Sequence, residues 1–89
     1  MKHLNLVIHG DVQGVYFRQE AKRKADDLGV FGSVKNNSDG TVSIEVEGDN
    51  AKVDQFLSWA NFGPSRAKVE RVDRSHGNIR GYDSFDIDY

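Results

Sequence analysis

Leu4, Leu6 and Ile8 alternate with Asn5, Val7 and His9, the period-two pattern of a strand with one buried face. A glycine-bounded loop, Gly10 to Gly14, follows. Phe17, Ala21, Ala25 and Leu28 then recur at helical spacing, and Gly29 supplies a C-terminal stop. A second short strand is expected over Phe31 to Lys35, and Asn37-Ser38-Asp39-Gly40 is a turn signal. Val42, Ile44 and Val46 alternate with Ser43, Glu45 and Glu47, so the second and third strands form a hairpin with one wet face. Asp49 or Asn50 is placed to cap the next helix, whose apolar stripe is Val53, Phe56, Leu57 and Ala60. Gly63-Pro64 ends it. Val69 and Val72 mark a fourth strand, Ser75 to Gly81 reads as a polar loop, and Tyr82, Phe85 and Ile87 suggest a last strand.

The order strand, helix, strand, strand, helix, strand, with one extra strand at the end, is the split βαβ pattern. It predicts an α+β, ferredoxin-like sandwich (βαββαβ), with two helices on one face of a mostly antiparallel sheet. In that topology the first two strands run parallel. Their C-terminal ends share one edge of the sheet, so the Gly10 loop and Asn36 become neighbours in space.

Length bounds the rest. The 89 residues suffice for one domain, 1–89, and exclude two-domain catalytic architectures. Hydrophobic residues are 37% and charged residues 29%, a globular composition. No apolar run approaches the roughly 20 residues of a membrane helix, so no membrane partner is expected. Leu4 to Ile8 is too short for a signal-peptide core. Cysteine is absent, which removes disulfides, thiol nucleophiles and cysteine metal sites and agrees with a cytoplasmic location. The net charge of −2 is not that of a nucleic-acid binder. Any bound anion is therefore small and held by local geometry.

Candidate chemistry concentrates between the first strand and the first helix. Glycines at 10 and 14 free the backbone to point several N–H groups inward, and the helix that starts at Phe17 adds its unpaired N–H groups and positive dipole end. Arg18 sits in its first turn, where a cation is mildly unfavourable unless an anion lies between. Arginine also grips phosphate oxygens in a bidentate manner. Metal binding is not expected: His3 and His9 lie on the polar side of the first strand, His76 in a loop, and none has ligand spacing with a carboxylate. Glu45 and Glu47 read as a solvated face, and Trp59 and Phe62 as either core or a small surface patch.

The run Gly10-Asp11-Val12-Gln13-Gly14-Val15-Tyr16-Phe17-Arg18 resembles the acylphosphatase signature G-x-V-Q-G-V-x-[FM]-R at every fixed position. Gly32-Ser33-Val34-Lys35-Asn36, with Gly40, Val42 and Gly48, resembles the family's second signature except at Ser33, where an aromatic residue is usual. By alternation Ser33 faces away from Asn36, so the departure affects outer packing rather than chemistry. The resemblance implies hydrolysis of acyl phosphates to a carboxylate and inorganic phosphate by a monomeric enzyme without metal or cofactor. It implies that Arg18 and the backbone amides of Gly10, Asp11, Val12, Gln13, Gly14, Val15 and Tyr16 bind the phosphoryl group. It assigns to Asn36 the positioning of the attacking water, and it leaves Tyr16, at a variable position, to line the mouth of the site. Two alternatives stand beside it. One is a non-catalytic ferredoxin-like module binding a ligand or RNA. The other is the acylphosphatase-like part of a hydrogenase maturation protein.

Overall fold

A computed structural model describes residues 1–89. Its elements are β1 (Lys2–Asp11), α1 (Phe17–Leu28), β2 (Phe31–Asn36), β3 (Val42–Gly48), α2 (Asn50–Ala60), β4 (Lys68–Gly77) and β5 (Phe85–Asp88). The five strands form one sheet in the order β4-β1-β3-β2-β5. β3 pairs antiparallel with β1 and with β2, so β1 and β2 run parallel, as the connectivity requires. β5 extends the sheet beyond β2 in parallel register, Gly32 opposite Phe85 and Val34 opposite Ile87. The ferredoxin-like α+β architecture is thus present, with this one strand appended. No helix is long and apolar enough to cross a membrane.

Alternation builds the core. Leu4, Leu6 and Ile8 of β1, Val34 of β2, and Val42, Ile44 and Val46 of β3 are all buried together with Phe17, Ala21 and Ala25 of α1 and Val53, Phe56, Leu57 and Ala60 of α2. Alanines at 21 and 25 let the α1 backbone approach the sheet closely. Trp59 belongs with the core, its ring 5.5 Å from Phe17 and 5.6 Å from Phe56, whereas Phe62 is 78% exposed. Each helix ends as its sequence signals. Gly29 adopts a left-handed φ of 73°, the Gly29 N–H reaches Asp26 O, and Val30 N–H reaches Ala25 O. Asp49 caps α2 by accepting from Lys52 N–H at 3.2 Å.

Gly32 is required by close approach. A Cβ there would lie 1.8 Å from the backbone oxygen of Glu45, and its φ is 147°. Gly10 is similar, with a Cβ 2.1 Å from Lys68 O. It follows a register shift between His9 and Gly10, where β1 bends toward β4.

Three expectations differ from what is observed. β1 runs on through Gly10 to Asp11, pairing with Val69 and Lys68, so the free loop starts at Val12. β4 continues to Gly77, because Ser75, His76 and Gly77 pair with Asn5, Leu4 and His3; the polar loop is shorter than 75–81. Glu47 and His3 are not solvated. They are 1% and 2% exposed.

The physical reason for the last difference lies in the segment joining β4 to β5. Its backbone N–H groups at Arg80, Gly81 and Tyr82 donate to the Glu47 carboxylate at 2.8, 2.9 and 2.9 Å, and His3 Nδ1 lies 2.8 Å from the same carboxylate. Burial pushes the Glu47 carboxyl up, but the Arg80 N–H, the His3 ring and the Tyr82 and Gly81 N–H groups outweigh it and hold it below the usual carboxylate range. The Tyr82 ring stacks with His3 at 6.5 Å, and its hydroxyl donates to Glu45 Oε2 at 3.0 Å. Burial is the main cause that pushes that hydroxyl up; a hydrogen bond with Ser33 opposes it, and the neighbouring Glu45 carboxylate adds to the rise. An aromatic ring from a distant loop thus covers the outer face beside Ser33.

Candidate active site

β1 and β2 end at the same edge of the sheet. Between them the chain runs from Val12 into α1 while the β2–β3 turn carries Asn36 at its start. A cleft of about 240 Å³ opens there, lined by Val12, Gly14, Tyr16, Phe17, Arg18, Gln19 and Asn36. Arg18 and Asn36, distant in sequence, therefore line one cleft. The Val12 side chain points into the core, so what it offers the cleft is backbone.

The loop turns through two left-handed residues. Gly14 takes a φ of 73° and Tyr16 a φ of 64°, the only left-handed residue in the chain that is not glycine. Such a residue is uncommon, and its strain is tolerated where the surroundings fix the turn. Tyr16 is also the N-cap of α1, and no side chain caps that end. The backbone N–H groups of Gln13, Gly14, Val15 and Tyr16 donate to no acceptor in the protein. The first N–H groups of α1 add to them, since a helix leaves these without intrahelical partners.

Two side chains in the cleft lack partners as well. Arg18 is half-buried, makes no ion pair or hydrogen bond within the chain, and stacks its guanidinium 5.0 Å from the ring centre of Tyr89. Asn36 makes no hydrogen bond to protein. Its neighbour Asn37 is fully engaged, with Nδ2 donating to Thr41 Oγ1 at 2.9 Å and to Ser43 Oγ at 2.6 Å. Asp39 closes the same turn by accepting from the Thr41 hydroxyl at 2.6 Å and the Thr41 N–H at 3.0 Å. Those two bonds hold its carboxyl below the usual range. The turn is tied by these bonds, while the Asn36 side chain at its start joins none of them and lines the cleft.

Gln13 links the two halves. Its Nε2 donates to Asn37 O at 2.7 Å and to Thr41 O at 2.9 Å. The loop after β1 is thereby tied to the turn after β2, and Gln13 is not itself among the residues that line the cleft. Of the remaining loop residues, Gly10 and Asp11 lie in β1 outside the cleft lining, and Val15 lines an adjoining cleft. The site expected from sequence is thus brought together at Val12, Gly14, Tyr16, Arg18 and Asn36. The bracing function of the Gln13 side chain was not anticipated; its sequence signal is only a polar residue between two glycine-flanked turns. No three His, Asp or Glu side chains converge as metal ligands would.

A guanidinium and a set of unpaired N–H groups beside an uncharged amide suit a tetrahedral oxyanion and a polar nucleophile. The chain matches the acylphosphatase family over residues 4–87. It is 46% identical to an acylphosphatase of Thiobacillus denitrificans, over 93% of this chain and 96% of that one. Its fold superposes on the crystal structure of acylphosphatase from Bacillus subtilis with a TM-score of 0.96 and 31% identity, over the whole of both chains. It also superposes on one segment of full-length HypF, solved with phosphate and nucleotide bound, with a TM-score of 0.92 and 28% identity, over 99% of this chain but 12% of HypF. The chain belongs to the acylphosphatase family, a family of acyl phosphate hydrolases.

Proposed function

We propose that the cleft hydrolyses acyl phosphates with Arg18 and the loop amides holding the phosphoryl group and Asn36 placing the attacking water. The observation that carries this is the shared cleft in which a free guanidinium, free backbone N–H groups and a free carboxamide meet. An acyl phosphate has a good leaving group, so the protein's task is alignment and stabilisation of charge on the equatorial oxygens. Arg18 and the N–H groups of the Val12–Tyr16 loop and the start of α1 supply that stabilisation. Gly10 and Asp11 serve by setting the path of the chain into the loop. The Asn36 carbonyl accepts from the water and its NH2 donates. The water oxygen bonds to phosphorus as the phosphorus–acyl oxygen bond breaks. The carboxylate leaves, and the water proton passes to a phosphate oxygen, since an amide is too weak a base to keep it.

In this reading residues 1–89 act as one domain, as a monomer, on a small molecule in the cytoplasm, with no cofactor. The absence of cysteine agrees with that compartment. Nucleic acid is not a partner. An RNA-binding ferredoxin-like sheet would expose aromatic residues on its open face. Here that face carries Ser43, Glu45 and Glu47, and the segment around Tyr82 overlies it.

Inorganic phosphate tests the binding half. At 100 times its dissociation constant, a ligand of the native state alone stabilises by about 2.7 kcal/mol. Wild type should show that rise in melting temperature, and Arg18→Ala should lose most of it. Equal rises in both proteins would place the anion elsewhere.

A further inference from the structure

A second cleft, of about 360 Å³, adjoins the first. Tyr16 lines both, so the two are separated by one side chain that is 61% exposed. The far wall of the second cleft is Pro64, Ser65 and Arg66, in the turn between α2 and β4. That turn is held by Ala67 N–H donating to Pro64 O at 2.9 Å and by Gly63 N–H donating to Trp59 O at 2.8 Å. Arg66 is thus carried on a fixed backbone. Its guanidinium lies 5.5 Å from the Tyr16 ring centre, stacked over the ring that divides the clefts. It has no carboxylate partner, unlike Arg23, Arg71 and Arg80.

A phosphoryl group in the first cleft leaves its acyl substituent to run out past Tyr16. From there the cation that faces it is Arg66. We propose that the second cleft is the acyl-group subsite and that Arg66 selects acyl phosphates whose acyl chain ends in a carboxylate. The inference rests on the reading of Arg18 as the phosphoryl-binding residue. Glu20, which also lines this cleft, leans toward Arg23 at 3.8 Å and leaves the Arg66 guanidinium to the incoming anion. A planar carboxylate matches the guanidinium fork in size and geometry.

Succinyl phosphate and butanoyl phosphate make the test, because they share a four-carbon chain and differ in the terminal carboxylate. The readout is the ratio of their kcat/KM values. Wild type should favour succinyl phosphate by roughly 1.5- to fivefold, the range of one solvent-screened charge contact. Arg66→Gln should bring the ratio near one, and Arg66→Glu should invert it. The loss in Arg66→Gln should fall on succinyl phosphate and be smaller for butanoyl phosphate. High salt should erode the preference in wild type but not in Arg66→Gln. A ratio unchanged across wild type, Arg66→Gln and Arg66→Glu, or an equal fall for both substrates, overturns the proposal. Arg18→Ala, run beside them, must lose both substrates. If it keeps both, the underlying reading of the site fails, and that result is distinct from an Arg66 variant that merely keeps its ratio.

Discussion

Gln13→Ala removes a brace without touching the groups proposed to meet substrate. The side chain of Gln13 spends both of its N–H donors on carbonyls of the β2–β3 turn, Asn37 O at 2.7 Å and Thr41 O at 2.9 Å. Each such bond contributes about 1 kcal/mol net to stability, so the pair contributes about 2 kcal/mol. For a domain of this size that corresponds to a fall in Tm of about 8–16 °C, read by circular dichroism. The effect on rate has a different origin. Loop and turn bring Arg18 and Asn36 to one cleft, and without the brace their spacing loosens. Misplacement by about 1 Å can cost a factor of about 100, so kcat on acetyl phosphate should fall roughly 10- to 100-fold at a temperature where the variant is folded.

Gln13→Glu sharpens the prediction. It keeps the size of the side chain but turns two donors into acceptors facing two carbonyl oxygens. At neutral pH it should melt below Gln13→Ala, although alanine removes more atoms. Its folded-state carboxyl is raised by those oxygens, so the extra cost applies above the ordinary carboxylate range and is relieved as pH falls through the raised value. A Gln13→Ala protein with wild-type Tm and wild-type kcat would refute the brace. So would Gln13→Glu melting above Gln13→Ala at neutral pH.

Three further outcomes are expected. Asn36→Ala should lower kcat by the equivalent of about 3–4 kcal/mol while phosphate still raises its Tm as in wild type; a folded variant with near-normal kcat removes Asn36 from the mechanism. Glu47→Gln should destabilise by about 3 kcal/mol at pH 7, because His3 and three loop N–H groups lose a buried charged partner. The Glu47 carboxyl is lowered in the fold, so its stabilisation is present above the ordinary carboxylate range and is lost as pH falls through the lowered value; the Tm gap between wild type and variant should shrink in acid, and a pH-independent gap would contradict this. Gly32→Ala should cost on the order of 4 kcal/mol or fail to give folded protein, since the new Cβ would sit 1.8 Å from Glu45 O; a Tm within a few degrees of wild type would show the strands parting easily.

The elements legible in the sequence are those whose signal is local. Leu4, Leu6 and Ile8 announce a half-buried strand, Phe17 to Leu28 a helix face, and Gly29 its left-handed end. The approach of Arg18 to Asn36 was legible too, because parallel β1 and β2 must end on the same edge. The C-terminal part of β4 was not. It is an edge strand with nearly every residue exposed, so no alternation marks it, and only pairing with His3, Leu4 and Asn5 defines it. Glu47 was misread for a related reason. Its place in the alternation is the outer face, and outer means wet unless something covers it. What covers it comes from Arg80 to Tyr82, some 35 residues later, and no period in the sequence carries that information.

The same long-range accounting explains why the cleft stands out. Elsewhere the fold leaves nothing polar unpaired in its interior: no buried side-chain nitrogen or oxygen lacks a hydrogen bond. Even Glu47, the costliest group to bury, has four donors. Against that background a half-buried Arg18 without a carboxylate, an Asn36 without a partner, and the loop N–H groups from Gln13 to Tyr16 all fall on one edge. The chain could have paired them, as it pairs Asn37 and Asp39 a few residues away. Satisfying these groups internally would add stability and remove the affinity for an anion. The cost of leaving them open falls on the native state, and it is recovered only when a phosphoryl group arrives. A site of this kind is therefore recognised by what its residues leave unbonded, and that requires the complete set of partners that only the folded chain provides.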